Sequence, residues 1–584
     1  MLSSGNIMNT ETKICQSCKK PFTIEPDDID FYAKVNVPFP TFCPDCRMRR
    51  RLAWRNEHYL YRRKDDKTDE EIFAGFSPSA PVKVYEKDYW MTDDWDVFQY
   101  GRDYDFTKPF FEQFRELAYS VPWPSRSIIR LVNSDYCDQA GDLKNCYLCF
   151  NSDRLEDSAY IVRSLENKTS FDLTQSNGNE LSYEGVSIGN CYKTFFLRDC
   201  ESCHDVWLSE RCIGCTNCFG CANLRNKSYC FFNEQLLSKE EYEKRFAELH
   251  LDSWSNLTSA IEKTAKHISS FPVKYFHGIR AVGSTGDYLR NVKNVRQSFF
   301  IEDAQDVKYA QNVYANGKDL YDYTVWGGGA TLMYECVTCG EANYGLKFSF
   351  DCWPSCRNLE YCISCRSSTD CFGCVSLRKK QYCIFNKQYS KEEYHALREK
   401  IVHHMSEMPY KSPKGHIYSY GEFLPEDFSP FGYNETMLND IFPISKERAT
   451  NEGYSWYGSE AREYRTTMNA ADLPNSINDV SDTIINELIQ CTSCKKAYRI
   501  ISSELAFLKK MKVPLPRECV NCRLAKRFAK LNKPKYYHRS CDCRGTGTDH
   551  FHGSAVCSNE FETSYSPDKK EIVYCEQCYN AEVA

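Results

Sequence analysis

The chain has 584 residues, of which 42% are hydrophobic, 14% aromatic and 26% charged, with 74 basic against 80 acidic side chains and a formal charge of -6. That apolar content excludes wholesale disorder and collagen-like repeats, and the near-balance of charge excludes a histone-like polycation while leaving room for local basic patches. No apolar run approaches the roughly 20 residues that span a bilayer, and Met1 to Lys13 is polar, without the apolar core of a secretory signal. Cytoplasmic residence is therefore expected. In a reducing compartment the 33 cysteines read as thiolate metal ligands or buried thiols rather than disulfides.

Residues 1–64 open with two knuckles, Cys15-x2-Cys18 and Cys43-x2-Cys46, separated by positions 19–42. Two such knuckles bring four thiolates to one tetrahedral zinc and leave no position for water or substrate, so the site is expected to be structural. A basic stretch follows, with Arg47, Arg49, Arg50, Arg51, Arg55, Arg62, Arg63 and Lys64 interleaved with Trp54, Tyr59 and Tyr61. Such a run can neutralise phosphates while its aromatics stack on bases; equally, it can form a solvated helix face or dock on acidic parts of the same chain. Residues 65–130 are rich in Trp, Tyr, Phe and Asp, including Asp93-Asp94-Trp95-Asp96 and Phe110-Phe111. Aromatic packing of an irregular segment is expected there, in preference to paired-carboxylate chemistry.

The next two segments, 131–270 and 271–404, carry an internal duplication. Residues 203–233 return as 356–386: Cys218-Phe-Gly-Cys221 becomes Cys371-Phe-Gly-Cys374, and Leu224-Arg225 becomes Leu377-Arg378. Cysteines recur with a nine-residue step, at 203, 212, 221 and 230 and again at 356, 365, 374 and 383. Such a step exceeds one strand and suits a half-coil of a parallel β-solenoid. Each copy then reaches a capping-box signature, Ser238-x-x-Glu241 and Ser390-x-x-Glu393, announcing a helix over the last coil. The expected fold is mainly β: two parallel β-solenoid blocks, each followed by a helical cap, flanked by small zinc ribbons. The 20 cysteines from 137 to 383 read either as a stacked core or, in pairs such as Cys200-x2-Cys203 and Cys336-x2-Cys339, as further metal ligands. Because Cys200 and Cys215 are replaced by Trp353 and Ser368 in the second copy, the core reading is favoured. Trp326-Gly-Gly-Gly329 lacks the Lys-Ser/Thr of a phosphate loop and reads as an insertion or solenoid corner.

Residues 405–485 read as a connector. The second ribbon, 486–535, repeats the first: Cys491-x2-Cys494 and Cys519-x2-Cys522 stand at the same separation, with Ser-Cys-Lys-Lys and Val-Pro-x-Pro in the same places. Its basic run holds Arg523, Lys526, Arg527, Lys530, Lys533, Lys535 and Arg539, uninterrupted by an acid. The tail, 536–584, offers a third zinc site through Cys575 and Cys578, with Cys541 and Cys543 as first choice for the other ligands and Cys557 and His552 as alternatives.

The ribbons resemble small zinc-ribbon or treble-clef modules. The whole chain resembles an uncharacterised family of large cysteine-rich zinc proteins from candidate-phylum bacteria, through the Trp95 to Phe111 segment, the Cys-Phe-Gly-Cys-x-x-Leu-Arg ends and Val573-Tyr-Cys-Glu-Gln-Cys578. The resemblance implies zinc and a solenoid and supplies no activity. With no phosphate loop, His-Glu-x-x-His helix or nucleophile elbow in the sequence, a noncatalytic role is expected. The expected role is binding of nucleic acid, such as RNA or the ribosome, through Arg47, Arg49, Arg50, Arg51, Arg55, Arg523, Lys526, Arg527 and Lys530. The alternative is a zinc-stapled scaffold for protein partners on the solenoid face, and a third reading is an enzyme whose site the sequence motifs do not reveal. Neither a membrane nor a small-molecule substrate is indicated.

Overall fold

A computed structural model describes residues 10–236, 238–458, 464–545, 550–553 and 555–583, so most of the polar N-terminus lies outside the described residues. The chain divides into two compact units, each discontinuous in sequence. One comprises Met1–Arg126 with Phe276–Gly458, the other Ser127–Tyr275 with Ser459–Ala584. The architecture is mixed α/β: parallel β-solenoid coils, helices, and groups of four cysteines. Among the described residues no helix is long and apolar enough to cross a membrane.

In the second unit each solenoid coil advances the chain by twelve positions, as when Phe171 pairs with Tyr183 and Thr216 with Ser228 in parallel. Bridges recur at every third residue along the chain: Lys144 to Glu156, Tyr147 to Ala159, Phe150 to Val162, Asp153 to Leu165. Each coil therefore has four sides, each a triplet. The nine-residue cysteine step is three of those sides, and the expected half-coil of that length is corrected accordingly. Within each triplet one residue bridges to the next coil, one turns the corner in the left-handed region and one points inward. Asn145, Asn151, Asp157, Asn190 and Asp199 are among the corner residues, with φ near +50°. Asn and Asp are the non-glycine residues that tolerate this conformation best.

The inward residues explain the serines and cysteines. An inward-facing peptide N–H has no ladder partner and would be costly to bury unpaired. It is satisfied by the side chain one coil earlier: Ser164 N–H donates to Ser152 Oγ (3.1 Å), Asn179 N–H to Asn167 Oδ1 (3.0 Å), Cys212 N–H to Cys200 Sγ (3.4 Å). The thiols in turn donate to backbone carbonyls, as Cys203 does to Cys212 O (3.4 Å) and Cys336 to Leu346 O (3.4 Å). Every solenoid cysteine is buried. These cysteines build a hydrogen-bonded core.

In the first unit the coils begin with an eleven-position advance (Gly278 to Leu289), pass to twelve (Leu289 to Ile301), lengthen to thirteen (Leu320 to Met333, Lys347 to Glu360) and then return to twelve (Cys371 to Cys383). The extra residue enters at a corner, and Trp326-Gly-Gly-Gly329 occupies such a corner, with Gly327 and Gly329 at φ +90° and +65°. The repeated glycine of Cys-Phe-Gly-Cys is required by space. A Cβ on Gly220 would lie 2.8 Å from Thr264, and one on Gly373 would lie 2.6 Å from Phe385.

Helices follow each run of coils. Lys239–Ala247 is capped by Ser238, which accepts from Glu241 N–H, and Trp254–Ile268 comes next. Lys391–Glu407 starts with a complete capping box between Ser390 and Glu393. The aromatic segment packs onto the coils of its own unit: Phe110, in the helix Phe110–Ser120, lies 5.4 Å from both Phe372 and Phe385. Its carboxylates do not form a pair for acid–base chemistry, since Asp96 caps the turn at Phe98 and Asp93 reaches toward Arg378.

Candidate metal centres and the arginine clamps

Each ribbon is built the same way. A hairpin, Glu11–Ile14 with Pro21–Ile24, carries the first knuckle, whose tight turn puts Lys19 at φ +61°. The second knuckle sits where a helix begins: Cys43 is the N-cap of Pro44–Leu52 and Cys46 lies in its first turn. In the other ribbon Lys495 is at φ +64°, and Cys519 caps Val520–Lys530. Thiolates at helix N-termini are favoured by the unpaired peptide N–H groups there.

Cys15, Cys18, Cys43 and Cys46 converge, as do Cys491, Cys494, Cys519 and Cys522, with all sulfurs of a group within 4.8 Å of one another. Four zinc–sulfur bonds of ~2.3 Å in a tetrahedron place sulfurs about 3.8 Å apart. The separations are 3.7 Å for Cys18–Cys43, 3.6 Å for Cys494–Cys519 and 3.8 Å for Cys491–Cys522. Both groups fit zinc. Four protein sulfurs close the coordination sphere.

The tail holds a third group, Cys541, Cys557, Cys575 and Cys578, all buried. This corrects the expected ligand set, in which Cys543 stood in place of Cys557. Cys541 N–H bonds to Asn559 O (2.9 Å) and Cys557 N–H to Cys543 O (3.0 Å), so residues 541–543 run beside 557–559 and bring the Cys557 sulfur to the site. Cys557 and Cys575 are 4.0 Å apart. An extended backbone holds the two Cα atoms of a Cys-x-Cys pair about 6.6 Å apart, and the Cys543 sulfur lies outside this group. Three groups of four cysteines can thus hold metal ions such as zinc.

Six arginines of the basic runs that follow the ribbons lie inside the protein, whereas Arg62, Lys64, Lys533 and Lys535 farther along are exposed. Arg47, Arg50, Arg51 and Arg55 are at most 2% exposed, and Arg523 and Arg527 are 4% and 1% exposed. In the first unit Arg47 and Arg51 converge on Asp322, each at 2.9 Å, and Arg51 also reaches Glu335 at 3.0 Å. Arg50 bridges Glu335 (2.7 Å) and Glu422 (2.9 Å), the latter from the connector. Arg55 donates to Thr338 Oγ1 (2.8 Å). In the second unit Arg523 pairs with Asp172 (3.2 Å) and Glu504 (2.9 Å), while Arg527 pairs with Asp172 (2.7 Å) and Glu184 (3.4 Å). Burial pushes the Glu335 and Glu504 carboxyls up, against the pull of Arg50 and Arg51 on one and Arg523 on the other.

The two clamps match at Arg47/Arg523 and Arg51/Arg527, while the counterpart of Arg50 is the exposed Lys526. Arg51 Nε donates to Thr324, two residues beyond Asp322; Arg527 Nε donates to Thr174, two beyond Asp172. Tyr309, one coil before Asp322, donates to Asp28 and lies under Arg47; Tyr160, one coil before Asp172, donates to Glu504 and lies under Arg523. A ribbon phenylalanine completes each contact, Phe31 against Tyr321 (3.8 Å) and Phe507 against Phe171 (4.8 Å). Of the residues expected to meet nucleic acid, Arg49, Lys526 and Lys530 are exposed. Arg49 lies over the Phe442 ring at 4.0 Å, and Lys526 pairs with Glu518. The acidic partners Asp172, Glu184, Asp322 and Glu335 were not singled out from sequence. Their signal was present: an aromatic-Asp-x-Thr tetrapeptide, Phe171 to Thr174 and Tyr321 to Thr324, with Glu one coil after the Asp.

No protein-family model matches the chain, and no curated protein matches it. Among solved structures, a protein from Desulfovibrio desulfuricans G20 described as an acetyltransferase is similar at 11% identity, over 50% of this chain and 86% of that one, with a TM-score of 0.10. A likeness that weak carries no argument about activity.

Proposed function

We propose that the protein is a noncatalytic, zinc-stapled scaffold in which each ribbon braces a β-solenoid, and whose outward solenoid residues meet protein partners. One observation carries this reading: a similar arginine clamp is built twice, and it spends the buried ribbon arginines on acids of the same unit. Arg47, Arg50, Arg51, Arg523 and Arg527 have no charge left to offer a phosphate without unfolding the contact. The cysteine groups support a structural metal, since four protein thiolates leave no open position for chemistry. The outward face between coils is polar and paired in mixed sign, as in Lys144–Glu156 (2.8 Å) and Arg154–Glu166 (2.9 Å). Such a surface suits charged protein partners better than a polyanion.

The test is binding of zinc-loaded protein to labelled single- and double-stranded RNA and DNA at low and high salt. The scaffold reading expects no salt-sensitive binding. Binding that weakens steeply with salt and is lost when Arg49, Lys526 and Lys530 are changed to Ser would replace it with a nucleic-acid clamp made of those three exposed cations.

A further inference from the structure

Beyond the three groups of four sulfurs, the tail contains a mixed cluster: Cys543, His550, His552 and Cys578, with one donor atom from each lying within 4.8 Å of the others. Cys543 and Cys578 are fully buried and His550 is 7% exposed. Two details separate this cluster from a chance gathering of side chains. Both histidines are oriented by a partner on the far side of the ring. His552 Nδ1 lies 2.8 Å from Ala555 O, which assigns the proton to Nδ1 in the neutral ring and leaves Nε2 as a lone pair, and Nε2 is 3.3 Å from Cys578 Sγ. His550 Nε2 lies 3.3 Å from the Glu582 carboxylate, leaving Nδ1 facing Cys543 Sγ at 3.5 Å. An imidazole lone pair aimed at a thiol can accept only a weak S–H···N hydrogen bond, and one aimed at a thiolate has no donor at all. A metal ion between them gives both a partner, and a carbonyl or carboxylate behind the ring is the usual way such histidines are held.

Cys578 belongs to this cluster and also to the group with Cys541, Cys557 and Cys575. Each cluster is one ligand short without it. We propose that the tail binds two zinc ions through a shared Cys578 thiolate, the first completed by Cys541, Cys557 and Cys575 and the second by Cys543, His550 and His552. A thiolate sulfur has lone pairs for two metals, and five thiolates against two dications leave a single negative charge. Two separate four-sulfur sites would carry twice that charge each. The arrangement also gives Cys543 a role, although it falls outside the four-sulfur group.

Metal content of the full-length chain, loaded with zinc anaerobically and desalted, should be four ions: one per ribbon and two in the tail. The double variant His550→Gln/His552→Gln should lose one, and Cys578→Ser should lose both tail ions or hold them far more weakly. The control Cys200→Ser should still hold four. Cadmium-113 substitution of the unaltered protein provides a readout that does not depend on any variant folding. Two tail resonances, one from a four-sulfur and one from a two-sulfur, two-nitrogen environment, should be coupled to each other through the shared sulfur. Three metals in the unaltered chain, an unchanged count in the histidine variant, or two tail resonances without coupling would each overturn the shared-thiolate site.

Discussion

Asp322→Asn is the sharpest test of the clamps. The substitution keeps the shape of the side chain and removes the charge on which Arg47 and Arg51 both converge at 2.9 Å, with both guanidiniums at 1% exposure or less. At an effective dielectric of about 20, a charge pair ~4 Å apart is worth about 4 kcal/mol. Removing one partner of a buried pair typically costs about 3–5 kcal/mol because the survivor stays buried. Arg51 keeps Glu335, and Arg47 keeps the Phe42 carbonyl, the Tyr309 ring and a 3.9 Å approach to Glu335, so relief is partial. The expected loss is about 3–5 kcal/mol, or roughly a hundred- to several-thousand-fold in the opening equilibrium. A chain of two units does not unfold in one step, so the readout must be local. Hydrogen exchange of the Pro44–Leu52 amides should accelerate by that factor while Val520–Lys530 keeps its protection. Asp172→Asn should reverse the pattern. Raising sodium chloride from about 0.1 to about 1 M should not mimic either variant, because buried pairs are poorly screened. A change under about 1 kcal/mol, the range of a surface ion pair, would refute the clamp.

Other outcomes follow from the same geometry. Burial raises the Glu435 carboxyl to about 7 from its ordinary 4.5. The folded chain then holds a proton that the unfolded chain releases, so this stability is complete below pH ~4.5 and lost as pH rises through ~7, by up to about 3 kcal/mol. Denaturation midpoints should decline as pH rises from about 5 to about 8, and Glu435→Gln should flatten that slope; an unchanged slope would show that Glu435 is ionised in the fold. Cys200→Ser should keep full metal content and near-native stability, since serine does the same work at positions 152 and 164. Cys491→Ser should lose one zinc and the protection of Val520–Lys530. Chelation of zinc should expose both ribbon hairpins to protease before the solenoid coils.

The convergence of four cysteines in each ribbon was legible because a Cys-x2-Cys knuckle is a local device whose geometry survives any context. The solenoid was legible as a repeat, but its step was misread: cysteine marks only some inward positions, and serine, asparagine and valine fill the rest. The corner residues would have corrected it, since Asn145, Asn151 and Asp157 already fall at multiples of three. The basic runs were legible as charge and not as contacts. Whether an arginine faces water or a buried carboxylate depends on partners such as Asp322, 271 residues away from Arg51 along the chain. Cys557 was missed as first choice for a similar reason, because strand pairing rather than spacing delivers its sulfur.

The modules are nested: the first ribbon clamps the later coils, and the second clamps the earlier ones. During synthesis at about 5–20 residues per second, Arg51 would emerge roughly 15–50 s before Asp322. The first ribbon cannot find its solenoid as a neighbour folding beside it. Its four cysteines, which can hold a metal ion such as zinc, by contrast all lie between Cys15 and Cys46 and are complete almost at once. The metal can hold a small, highly cationic fold in shape through that interval, ready for carboxylates that have not yet been made. The coils around Asp172 face the opposite wait, 355 residues, for Arg527. They have no metal of their own among the ladder residues described, and their Ser and Cys stacks must carry them alone. Zinc supply would then govern the yield of folded chain at the ribosome more than the stability of the finished protein.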